Sequence, residues 1–182
     1  MSEENLIRHF APTLAGIKTG SLFNLCYGSD RQMLADARHW NGLLTQKGLR
    51  MLPLRFSDGR GLIYLYRPSR LAHDLRQPEA VRILNRCGYR GKTPEQCVAG
   101  LAERMRRGDA FPHEIGLLLG YPPADVLGFM ESPAACKCVG CWKVYGDVEA
   151  ARDTFARYEK CTQAYCRQYR AGRGVQWLAV AG

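Results

Sequence analysis

The stretch LRMLPLRFSDGRGLIYLYRP most constrains what this chain can fold into. Two apolar runs flank Asp58-Gly59, a pair that tolerates the positive φ angles of a tight two-residue turn. The pattern predicts a β-hairpin over residues 49–67, hence an antiparallel sheet. Pro53 has no N–H for a ladder, so the first strand lies at an edge or carries a bulge. Pro68 closes the second strand. An isolated hairpin is marginal in water, so the rest of the chain must cover it.

The flanking segments supply that cover. Residues Glu3 to Phe10 read as a short helix, and APTLAGIKTGSLFNLCY as a strand with irregular flanks. Ser29 caps a helix through Lys47, with Met33, Ala37, Trp40 and Leu44 on one face, and Gly48 ends it. Three helical pieces follow between Ser69 and Gly108, then two short helices broken at Gly120-Tyr121. The run CWKVY predicts a short strand, Asp147 caps a long helix to about Tyr169, and VQWLAV predicts a last strand. The succession is α+β: a single compact domain over residues 1–182, with a small, mostly antiparallel sheet and a cysteine-rich third at 133–170. With 182 residues, folding hides roughly 70% of the chain's surface, enough for one sizeable core.

The opening MSEENLIRHF has acids where a secretory signal carries bases, and no apolar run approaches the ~20 residues that span a bilayer. No membrane insertion and a cytoplasmic location are the expectations. Eight cysteines in that reducing compartment favour thiols or metal ligands over disulfides. A net charge of +9 favours an anionic ligand, an acidic protein or nucleic acid as partner, but the bases are dispersed along the chain.

Cys136, Cys138 and Cys141 form C-x-C-x2-C, and Cys161 and Cys166 follow on the long helix. Closely spaced thiolates add ligands at little ordering cost, so Cys136, Cys138, Cys141 and Cys161 are candidate ligands for zinc or an iron-sulfur cluster. Cys161 and Cys166 lie about 140° apart around a helix, so they do not share a face. The loop is expected to pack beside the long helix near Cys161, with Cys166 overshooting it. Cys138, Cys141 and Cys166 are alternatively redox-active thiols, and packing against the stripe Ala151, Phe155, Tyr158, Thr162, Tyr165 and Tyr169 is the plain structural reading. Cys26, Cys87 and Cys97 sit in apolar contexts that predict burial.

A second candidate lies in FPHEIGLLLGYP, where His113, Glu114 and Tyr121 would serve as ligand or acid/base groups, with Glu114 at a helix start. The segment EIGLLLGYPPADVLGFM has the rhythm of a helix-turn-helix, but its second helix offers no Arg, Lys, Asn or Gln to base edges, which argues against sequence-specific DNA reading. GIKTGS holds the letters of a phosphate loop in the wrong order and reads as a turn beside a strand. Tyr64, Tyr66, Arg67 and Arg70 mix aromatic and basic groups that would either clamp an anionic ring or simply pack.

Taken in order, APTLAGIKTGSLF, LPLRFSDGRGLIYLYRPSRL, FPHEIGLLLGYPPADVLGF, CKCVGCWKVYGD and YEKCTQAYC resemble the bacterial domain-of-unknown-function 3793 family, nearly end to end. The resemblance brings no activity and no catalytic residues to carry over. The residues themselves place first an accessory protein binding zinc or an iron-sulfur centre through its C-terminal cysteines. An enzyme or ligand-binding protein with a pocket near His113 and Glu114, and a nucleic-acid binder, stand as alternatives.

Overall fold

The computed structural model describes residues 1–108 and 110–182. Its centre is a three-stranded antiparallel sheet in the order β1 (Gly20–Cys26), β3 (Arg60–Tyr66), β2 (Arg50–Ser57). The hairpin β2–β3 turns at Asp58 and Gly59, whose φ angles of 52° and 70° are the pair a tight two-residue turn demands. β2 is an edge strand, and its register shifts between Pro53 and Arg55, so proline costs no ladder bond in the middle of the sheet.

Helices cover both faces of this sheet. On one face lie α1 (Glu3–Leu14), α2 (Asp30–Leu44) and α9 (Val175–Leu178), packed on Ile63, Leu65 and Met51. On the other lie α3 (Pro68–Leu75), α4 (Pro78–Arg86), α5 (Pro94–Arg107), α6 (Ile115–Leu118) and α7 (Pro123–Glu131), packed on Leu54 and Tyr64. Alternation along β3 decides the division: Ile63 and Leu65 point one way and Tyr64 the other. The long helix α8 (Val148–Arg170) lies against α1. A two-stranded hairpin, β4 (Cys138–Val139) and β5 (Lys143–Val144), precedes it.

Local signals account for most boundaries. Ser29 accepts from Gln32 N at the start of α2, and Met33, Ala37, Trp40 and Leu44 are all buried. Thr93 and Gln96 close a reciprocal capping box on α5. Asp147 accepts from Glu149 N and Ala150 N to start α8. Three elements differ from expectation. α1 runs on through Pro12 to Leu14, because Leu6, Ile7, Phe10, Ala11 and Leu14 hold one buried face. The run CWKVY contributes only Lys143–Val144 as strand. VQWLAV begins as the short helix α9, since Val175, Leu178 and Ala179 recur at helical spacing while Trp177 is 79% exposed.

One buried cation ties these layers together. Arg67, 2% exposed, follows β3 and donates to the carbonyls of Thr13, Leu14 and Val180, each at 2.7 Å. Two of these carbonyls, of Thr13 and Leu14, belong to the α1 C-terminus, the negative end of the helix dipole. Arg67 is therefore a structural clamp, whereas Arg70 lines a cavity. Tyr64 stacks on Tyr66 at 4.7 Å and donates to Leu118 O at 2.6 Å, so both tyrosines pack.

Candidate functional site

The residues of GIKTGS are placed by the end of α1. Gly16 takes a left-handed φ of 74°, and Ile17 N and Lys18 N both donate to Pro12 O. This tight turn aims Lys18 away from the sheet before β1 begins at Gly20. Gly120, φ 77°, turns the chain between α6 and α7 against the same point; a Cβ there would lie 2.7 Å from Thr19 Oγ1. Tyr121 is thereby brought over Lys18, whose Nζ lies 5.5 Å from the Tyr121 ring centre and 5.7 Å from that of Tyr158 on α8.

The opposite wall depends on one carboxylate. Asp125, on the first turn of α7 and 3% exposed, accepts from Tyr145 N, Gly146 N and Trp142 Nε1, each at 2.7 Å. Those bonds fasten the β4–β5 hairpin onto α7. Trp142 then stacks on Tyr121 at 4.8 Å and meets Phe155 edge-on at 4.5 Å. Gly140 allows this seat, because a Cβ there would come within 2.1 Å of the Phe155 ring. Gly140→Ala is expected to lift the hairpin from α8 at a cost of about 1–3 kcal/mol, measured by urea unfolding with Trp142 fluorescence.

Between these walls lies a cleft of ≈ 430 Å³. Lys18, Arg70 and Arg157 face it, together with Tyr121, Trp142 and Tyr158. Three carboxylates also line it, but each is already engaged by protein donors: Asp74 by Thr19 Oγ1, Asp125 by the hairpin, Asp147 by the start of α8. The cations differ. Arg70 donates to Gly16 O, whereas Lys18 Nζ and the Arg157 guanidinium have no hydrogen-bond acceptor among the described residues. Burial pushes Lys18 down to about 8, against a weaker opposing pull from Cys141. The same enclosure pushes the Tyr121 phenol up to about 12.

A second, more apolar cavity of ≈ 250 Å³ lies across the Tyr121–Trp142 wall, lined by Leu22, Ile115, Phe129 and His113. His113 is exposed and meets Phe129 edge-on at 4.9 Å. Glu114 goes the other way. It is 3% exposed, accepts from Tyr89 Oη at 3.0 Å and pairs with Arg104. α6 is a single turn and Glu114 makes no capping bond, so the expected pairing of His113 with Glu114 gives way to one cavity-lining imidazole and one buried ion pair. The single-turn α6 also leaves the helix-turn-helix rhythm without a first helix.

The thiols are similarly dispersed. All eight cysteines are free, and among the described residues no three His, Cys, Asp or Glu side chains converge as metal ligands. Among the described residues, Cys136, Cys138, Cys141 and Cys161 do not form such a group. Cys138 faces Val144 across the β4–β5 ladder, while Cys141 lies in the turn between the strands, near Lys18. The loop does pack on α8, at the level of Phe155, Tyr158 and Glu159. Cys166 packs against the α1–α2 side of the core. Cys97 is buried as expected, but Cys26 is exposed, because it alternates with inward Leu25 at the end of β1.

Tyr121 and Arg70 stand out in the sequence, whereas Lys18, Asp125, Trp142, Arg157 and Tyr158 do not announce themselves as partners in one cleft. One signal was present: Lys18 stands between two glycines next to a buried strand. Asp125 likewise interrupts an apolar helical segment, where a carboxylate needs donors.

Among the described residues no helix is long and apolar enough to cross a membrane. Comparison with the curated proteins and with the solved structures returns no match. A family model described as "Protein of unknown function (DUF3793)" matches residues 6–179. That match spans nearly the whole chain, both walls of the cleft included, and the chain belongs to the DUF3793 family.

Proposed function

We propose that this protein is a cytoplasmic small-molecule-binding protein whose ligand is a small anion carrying a planar group. The observation behind this reading is the pairing of donors and acceptors in the cleft. Its carboxylates each accept from protein donors, while among the described residues Lys18 and Arg157 have N–H groups without acceptors and Arg70 has several to spare. A desolvated ammonium beside two such guanidinium groups is stabilised by an incoming anion. The faces of Tyr121, Trp142 and Tyr158 offer stacking surface for a ring. Eight free thiols suit the reducing cytoplasm.

Thermal unfolding with inorganic phosphate, pyrophosphate, benzoate and 4-hydroxybenzoate tests this, with benzyl alcohol as the uncharged control. At ten times its Kd a ligand adds about 1.4 kcal/mol, a rise in Tm of roughly 3–6 °C for a chain of this length. At least one anion is expected to give that rise in the wild type, with Lys18→Met and Arg70→Met each abolishing it. No rise with any of the four, or an equal rise in both variants, overturns the reading.

A further inference from the structure

We propose that Lys18 is a covalent carbonyl-capturing residue, forming a reversible imine with a small anionic aldehyde or 2-oxo acid held in the cleft. The inference deepens the anion-binding reading and rests on it. Its geometric basis is the setting of the Lys18 amine. Nζ is sandwiched between the rings of Tyr121 and Tyr158 and has no carboxylate or carbonyl partner among the described residues. It opens onto the ≈ 430 Å³ cleft that Arg70 and Arg157 share. Two guanidinium groups are thus placed to hold a carboxylate or phosphate while the amine meets the carbonyl of the same molecule.

Burial supports this role. Ring faces return only part of the hydration that the ammonium loses, and the amine is held at about 8. Near pH 8 about half of the Lys18 side chains carry a free lone pair, against about 0.4% for an ordinary lysine. Desolvated lysines among apolar walls are the ones that form Schiff bases. In the step itself, the Nζ lone pair adds to the carbonyl carbon and forms a C–N bond. One N–H proton moves to the former carbonyl oxygen to give a carbinolamine, the second follows as the C=N bond closes, and that oxygen leaves as water. No oxidant or reductant takes part, and hydrolysis returns the free amine.

The test uses the full chain with glyoxylate, the smallest 2-oxo acid, and cyanoborohydride to reduce any imine to a stable secondary amine. Peptide mass spectrometry then reads each lysine. At pH 8 Lys18 is expected to be modified at least about tenfold faster than Lys47, Lys92, Lys137, Lys143 or Lys160, following its larger free-amine fraction. The lead should shrink toward pH 10.5, and uncharged acetaldehyde should show a smaller lead than glyoxylate. Labelling of Lys18 no faster than that of the other five overturns the inference. Should an anion still raise Tm in that case, the binding reading survives and only the covalent step is lost. Selective labelling of Lys18 by glyoxylate with no preference over acetaldehyde overturns the part assigned to Arg70 and Arg157.

Discussion

Replacing Asp125 with alanine is expected to lower stability by about 3–5 kcal/mol and to release the β4–β5 hairpin. Oδ1 accepts two backbone N–H groups, from Tyr145 and Gly146, and Oδ2 accepts the Trp142 indole N–H. Hydrogen bonds to an ionised acceptor contribute about 1.5–3 kcal/mol each, and removing the shared acceptor leaves all three donors unsatisfied. Asp125→Asn should fall between, because its amide keeps one acceptor oxygen and turns an NH2 group toward a donor. Denaturant midpoints measure both, and the thiols of Cys138 and Cys141 provide an independent readout. Their reaction with a disulfide reagent should quicken in Asp125→Ala before global unfolding. An Asp125→Ala protein as stable as the wild type, with thiols reacting at the wild-type rate, would show that the cleft wall stands without this carboxylate.

Lys18→Met is expected to do the reverse, stabilising the protein by about 1–3 kcal/mol at pH 7 while abolishing anion binding. Burial of the ammonium costs the folded state free energy, which is why its pKa falls from the ordinary 10.5 to about 8. The direction with pH follows from proton counting. Between about pH 8 and 10.5 the unfolded chain binds more protons at Lys18 than the folded chain, so wild-type stability rises with pH across that window. Methionine fills similar volume without a charge, so the advantage of the variant should be greatest below pH 8 and fade toward pH 10.5. Urea titrations of both proteins at pH 7, 9 and 10.5 measure it. A variant less stable than the wild type at pH 7 would mean that the two ring faces more than repay the lost hydration. Gain of stability with loss of binding is the pattern of a residue kept at a functional site against the interest of the fold.

Local rules made the hairpin at Asp58-Gly59, the Ser29, Thr93 and Asp147 caps and the buried face of α2 legible in the sequence, because each depends on residues within a turn or two. The same locality drew attention to the cysteines, which crowd together along the chain. Proximity in sequence is not convergence of side chains: Cys138 lies on β4 opposite Val144, Cys141 lies in the turn between the strands, and no three ligating side chains converge among the described residues. Glu114 and His113 part for a similar reason, one inward to Tyr89 and Arg104, one outward to Phe129.

By itself the sequence determined most element types, the central hairpin and the edge-or-bulge character of β2, all consequences of backbone preference and period. Only the tertiary structure decided the cleft. Lys18 follows α1, Arg70 lies on α3, Tyr121 follows α6, Asp125 lies on α7, Trp142 in the small hairpin and Tyr158 on α8. They meet because layers on either side of one sheet fold over its β1 edge, with Gly120 admitting Thr19 and Gly140 admitting Phe155. Such contacts join residues separated by up to 140 positions, from Lys18 to Tyr158, and no local pattern records which of them will line the same cleft.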